Sequence, residues 1–183
     1  MLEQEVLNNP YFQVASVHKK RNNTGRFYFH ATDDLPELRM LFYNFIQQVD
    51  CEFEAIVANK SIERFVKKHN GNEKEFYADL LSHLLEKTLE LKTTNIFIIS
   101  RRGNTTRVAN LENGLNKAVE RFKQSKPDMK MQGNIIFDIQ SPITEPLLTI
   151  ADYLCWAIQR KFEKGEGRFF DYIKNKVTVV TEI

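Results

Sequence analysis

The chain has 183 residues, with 26 Lys plus Arg against 24 Asp plus Glu, for a formal net charge of +2. Hydrophobic residues make up 42% and aromatics 11%, enough to bury a core, which excludes an intrinsically disordered chain. Seven Gly and five Pro exclude a collagen-like or linker-rich chain, and the near-neutral balance excludes a histone-like polyanion coat while leaving room for local basic patches.

The length fits a single domain over residues 1–183. No apolar run approaches the ~20 residues of a membrane span, so no membrane partner is expected. Met1 to Pro10 is acidic and polar, unlike a secretory leader. Cys51 and Cys155 are too far apart in sequence for a metal motif or a disulfide framework. Each sits in an apolar run, which predicts buried free thiols and a cytoplasmic setting.

Tyr11 to His18 alternates apolar and polar residues and reads as a strand. Lys19 to Gly25 is a basic turn, and Arg26 to Ala31 is the returning strand of a hairpin. Thr32 is expected to start a helix, with Asp33 and Asp34 at its N-terminus and Pro36 in its first turn. The apolar spacing of Leu38, Leu41, Phe42, Phe45 and Ile46 carries this helix to about Val49. Cys51 to Ala58 reads as a strand, and Ser61 to His69 as a short helix broken by Asn70 to Asn72. Glu73 to Leu91 is a long amphipathic helix. Thr94 to Ser100 and Gly133 to Ile139 are short, β-branched apolar runs of the kind found in buried parallel strands. A helix from about Arg107 to Gln124 connects them. Ser141 to Pro146 opens a helix running to about Phe162, followed by a short helix at Phe169 to Lys176 and a terminal strand at Val177 to Ile183. Early antiparallel strands followed by β-α-β-α predict an α/β layer with a mixed sheet.

Candidate chemistry concentrates in Ser141 to Arg160. On a helical wheel Leu147, Ala151, Leu154 and Ile158 share a face, with Asp152 on its flank between Leu148 and Trp156. A carboxylate there is costly unless it is paired or used. Glu145 is seven residues earlier, within about 20° of Asp152 by the helical period but roughly 10 Å away along the axis. Both cannot grip one ion from that helix alone; a neighbouring strand would have to contribute. A solvated or Lys/Arg-paired Asp152 is the plainer alternative. Arg101 and Arg102 lie in a βα loop, where α/β sheets place ligands, although the loop lacks a P-loop spacing. Among the four His, His30 ends a strand just before a helix, and none belongs to a close metal pair. Nothing supports a nucleophilic Ser or Cys.

The stretch Leu148-Thr149-Ile150-Ala151-Asp152-Tyr153, with Ser141 before it and Arg160 at the helix end, resembles the C-terminal signature of the domain-of-unknown-function 3800 family. Phe29-His30-Ala31 with Leu38-Arg39 resembles that family's middle motif. Val57-Ala58-Asn59-Lys60 resembles its strand end, and Lys161 to Asp171 is similar to its tail. The resemblance spans about Tyr11 to Lys176 and implies a ribonuclease H-like fold, a mixed sheet flanked by helices. It further implies a metal-dependent nuclease in which Mg²⁺ or Mn²⁺ holds a phosphodiester and activates water. Asp152 would then be the last-helix metal ligand, assisted by Asp138 and Glu145. His30, Lys60, Arg101 and Arg102 would contact the nucleic acid, with His30 also in the catalytic set.

The chain departs from this pattern in three places. No strand ends in the family's Asp-Glu-Ser-Gly motif, Ser100 stands where an Asp is expected, and His30 stands near an often acidic position. The implied domain therefore lacks the family's first strand or has an incomplete acidic centre. The alternative is a non-catalytic nucleic-acid- or protein-binding module of the same fold. Phe169, Phe170 and Tyr172 suggest core or the interface of a homodimer.

Overall fold

The computed structural model describes residues 29–59, 61–88, 93–100, 105–127, 133–142 and 144–183, together with Gln4, Val6 and Asn8. The expected hairpin of Tyr11 to Ala31 lies outside the described residues up to position 28; Phe29 and His30 are irregular and Ala31 begins a turn. The elements in chain order are α1 (Pro36–Gln48), β1 (Phe53–Val57), a π-helix (Ile62–Lys68), α2 (Glu73–Thr88), β2 (Asn95–Ser100), α3 (Thr105–Ser125), β3 (Ile135–Gln140), α4 (Leu147–Lys164), α5 (Arg168–Ile173), a 3₁₀ turn (Lys174–Lys176) and β4 (Val177–Glu182). The chain is thus an α/β protein. It divides into two compact units, Met1–Phe53 with Ser141–Thr178, and Glu54–Gln140 with Val179–Ile183.

Unit 1 is built from α1, α4 and α5. Helix α1 begins at Pro36, not at the expected Thr32. A residue preceding proline is driven out of the helical region, and Leu35 is extended (φ −63°, ψ 153°). Asp33 and Asp34 therefore cap no helix. Their amides donate to the His30 carbonyl at 3.1 and 2.9 Å, closing a turn over residues 30–34. Leu38, Phe42, Tyr43 and Ile46 recur at helical spacing and are buried.

Helix α4 buries Leu148, Thr149, Tyr153, Leu154, Ala157 and Ile158. The expected face was rotated from this one. Leu147 is 60% exposed at the first turn, and Ala151, Cys155 and Gln159 form a solvent stripe spaced four residues apart. Cys155 is accordingly an exposed free thiol and Cys51 a half-buried one, rather than two buried ones. The helix ends at Gly165 in the left-handed region (φ 69°), where the Gly165 amide donates to Lys161 O at 3.0 Å and the Glu166 amide to Arg160 O at 3.1 Å. The Gly165 bond to Lys161 is that of an αL stop.

Tyr153 is the hub of the unit 1 core. Its ring lies 4.1 Å from Phe42 and 5.4 Å from Tyr43, centroid to centroid, and Tyr43 lies 5.3 Å from Phe169. Ala31, Ile46, Leu154, Ala157 and Ile173 complete the cluster, with Phe53 and Val177 among the residues packed against it. Phe169 is therefore core, Phe170 half-buried and Tyr172 exposed.

Unit 2 contains the β2–α3–β3 crossover. The strands pair in parallel, Asn95 facing Ile135 and Ser100 facing Gln140. Side chains alternate across this pair: Ile96, Ile98 and Ile136 are exposed while Phe97, Ile99, Phe137 and Ile139 are half-buried. The expectation of burial on both faces holds on neither in full, because alternation turns half of a continuous apolar run outward. Strands β1 and β4 form a second pair. The Ile183 amide donates to Val57 O at 2.9 Å and its carbonyl accepts from the Asn59 amide at 3.4 Å, the parallel bonding pattern. Asn70 (φ 52°) and Gly71 (φ 66°) reverse the chain after the π-helix, and the Asn72 side chain then caps α2 by accepting the Lys74 amide at 3.0 Å. Phe76, Ala78, Leu85, Leu115, Ala118 and Phe122 are its buried apolar residues on α2 and α3.

Candidate functional site

The strongest convergence of polar groups is in unit 1, where the 30–34 turn meets α4. Consecutive residues of α4 hold the turn from two sides. Asp152 Oδ2 accepts the Ala31 amide at 2.9 Å. The Tyr153 hydroxyl donates to Asp34 Oδ2, which also accepts the His30 amide at 2.8 Å. Asp34 is only 3% exposed, so its charge depends on these donors. The Tyr43 hydroxyl donates to the Tyr153 carbonyl at 2.9 Å, joining α1 to the same point of α4.

Arg39 closes the arrangement from α1. Its Nε donates to Ala31 O at 2.6 Å and an Nη to Thr32 O at 3.0 Å, while the guanidinium lies 4.5 Å from the Trp156 ring centre. The turn is thus fixed by its amides on Asp34 and Asp152 and by its carbonyls on Arg39. Burial, reinforced by the charge and hydrogen bond of Asp34, pushes the Tyr153 phenol far above its usual range. Burial also raises Tyr43, against the charge of Arg39. Both phenols stay protonated and act as fixed donors.

Two groups of this site keep free capacity. No hydrogen bond of the described residues engages Asp152 Oδ1, and Asp152 is half-buried. The His30 side chain is 41% exposed; its Nδ1 is buried 3.6 Å from Asp33 Oδ2 and makes no hydrogen bond among the described residues.

The remaining sequence-derived candidates are placed elsewhere. Glu145 precedes α4, so the helical period does not carry back to it. Its Oε1 accepts the Leu147 amide at 3.0 Å and satisfies an otherwise unpaired amide at the helix start. Asp138 is exposed on β3 in unit 2, where Oδ1 accepts the Gln140 side chain at 2.8 Å. Lys60, Arg101 and Arg102 lie outside the described residues, as does the basic turn of Lys19 to Arg21. Sequence reasoning missed the parts played by Asp34, Tyr153, Arg39 and Trp156. Asp34 looked like a helix cap, and only Pro36, two residues on, hinted that the cap was misplaced.

Among the described residues no three His, Cys, Asp or Glu side chains gather as a cation site. The site offers one carboxylate oxygen and one imidazole nitrogen. The carboxylate oxygen suits a hard divalent cation that takes the rest of its shell from water and substrate phosphate, whereas an imidazole nitrogen is not a donor Mg²⁺ favours.

No family model, curated protein or solved structure matches the chain.

Proposed function

We propose that the chain is a ribonuclease H-like domain related to the domain-of-unknown-function 3800 family, acting as a metal-dependent phosphodiester hydrolase on nucleic acid. The observation that carries this reading is the seating of Asp152. A carboxylate on α4, tethered through one oxygen to the Ala31 amide, has no hydrogen bond from the described residues on its other oxygen, and its tether follows directly on His30 in the chain. The β2–α3–β3 crossover and the late helix bearing the carboxylate fit that fold.

In this reading Asp152 Oδ1 would hold a Mg²⁺ or Mn²⁺ ion. The cation would supply polarisation of the phosphodiester and a water of lowered pKa. His30, whose backbone amide is held by Asp34, would contact a non-bridging phosphate oxygen or move a proton at its ring. Lys60, Arg101 and Arg102 would contact the nucleic acid, as the family resemblance implies.

The test is cleavage of labelled single- and double-stranded DNA and RNA with Mg²⁺ or Mn²⁺. Asp152→Asn should abolish cleavage while leaving the Ala31 amide an oxygen to bond. No cleavage by the wild type, or cleavage indifferent to Asp152→Asn, refutes the hydrolase. Nucleic-acid binding without cleavage would favour the non-catalytic module.

A further inference from the structure

We propose that the guanidinium–aromatic surface formed by α1, the second half of α4 and the start of α5 is a docking track for single-stranded nucleic acid. Contacts run through the half-buried Trp156 and the buried Phe169, and Phe170 adds a second half-buried ring. Arg39 and Arg160 lie 4.5 and 5.6 Å from the Trp156 ring centre. Trp156 meets Phe169 edge-on at 5.0 Å, and Arg168 lies 4.7 Å over Phe169. On the adjoining ring, Lys161 Nζ lies 3.7 Å over Phe170.

The charges on this surface are poorly compensated. Arg160 is spent on a bidentate pair with Glu166 at 2.6 and 2.9 Å. Arg39 is not: its hydrogen bonds go to two neutral carbonyls. Lys161 and Arg168 have only aromatic rings as side-chain partners among the described residues. Residues 160–168 carry four cations (Arg160, Lys161, Lys164, Arg168) against two carboxylates (Glu163, Glu166). Buried or paired cations would be structural; cations laid on rings at a solvent boundary keep their field for an incoming anion.

The pairing of that charge with flat faces selects the ligand. Phosphates answer the cations, and unstacked bases answer half-buried rings and guanidinium planes. A duplex hides its bases and would use the charge alone. The proposal rests on the nuclease reading in one respect: Trp156 is one turn beyond Asp152 on α4, so a strand lying here would be led to that carboxylate.

Trp156 is the sole tryptophan of the chain and reports directly on the track. The full chain, in EDTA and without added metal, is titrated with a short single-stranded oligothymidylate and with a duplex of equal length. The single strand should quench Trp156 saturably and bind at least ~10-fold more tightly than the duplex, by stacking. Lys161→Ala and Arg168→Ala should each reduce the slope of log affinity against log salt by about 0.7. The absence of quenching, equal duplex affinity, or salt slopes unchanged in Lys161→Ala and Arg168→Ala would each overturn the track. An acidic peptide matching the oligonucleotide in quenching and affinity would also overturn it, assigning the surface to a protein partner. Quenching by a wild type that never cleaves refutes the hydrolase alone, whereas cleavage without quenching refutes the track alone.

Discussion

Replacing Tyr153 by Phe removes one hydroxyl and keeps a ring that packs 4.1 Å from Phe42 and 5.4 Å from Tyr43. The lost bond ends on a carboxylate that is 3% exposed and also accepts the His30 amide. A hydrogen bond to a charged group contributes about 1.5–3 kcal/mol, so Tyr153→Phe should cost about 2 kcal/mol. Tyr43→Phe is the internal control. Its hydroxyl serves a neutral carbonyl, for which about 1 kcal/mol is expected.

The two phenols also dictate a pH dependence. Their folded values are raised, Tyr153 by burial and then Asp34, Tyr43 by burial. The unfolded chain therefore loses these protons first, and the stability they lend is complete below the unfolded value of about 10. It falls as pH rises past that value, by about 1.4 kcal/mol per pH unit per phenol, until the folded groups ionise. Urea unfolding followed by Trp156, which belongs to unit 1, measures both effects. Tyr153→Phe should lower stability at neutral pH and remove one phenol's share of the alkaline slope. A neutral-pH cost below that of Tyr43→Phe, or an unchanged alkaline slope, would refute the Asp34–Tyr153 pin.

At the acid end, unit 2 should respond through α2. A hydrogen bond from Lys117, with Arg121 nearby, holds Glu75 below its usual range. Burial pushes Asp79 up, but Lys68 at 2.8 Å and the neighbouring His69 and His83 outweigh it, and the net shift is downward. The stability these carboxylates add is present above the unfolded values of about 3.9 and 4.3 and is lost as pH falls through the lower folded values. Asp79→Asn should flatten the acid loss of amide protection in α2; an unchanged acid profile would contradict this network. Gly165→Ala should cost about 1 kcal/mol from its left-handed backbone alone, because an added Cβ meets nothing within 4 Å. Gly133→Ala should cost about 3 kcal/mol, since its Cβ would sit 1.7 Å from Thr93 O, and thermal denaturation should preserve that order.

The alternation of secondary structure was legible in the residues themselves. Apolar periodicity located α2, β2, α3, β3, α4 and β4 to within a few residues, because a 3.6-residue or two-residue repeat is a local property of the chain. Asp152 stood out as a carboxylate on the flank of a core stripe, and His30 as a histidine read to end a strand before a helix. Local rules failed where a distant partner competed for the same group. Asp34 has the chemistry of a helix cap, but a hydroxyl on α4, 119 residues away, together with the His30 amide, claims its carboxylate. The buried face of α4 was misassigned by part of a turn, since which stripe faces inward depends on where Phe42, Tyr43 and Phe169 stand, not on α4 alone. The bond from Ala31 to Asp152 spans 121 residues. Sequence fixes which side chains can donate, accept or stack; only the folded chain sets which of them come within about 3 Å of each other, and hydrogen bonding weakens steeply beyond that distance.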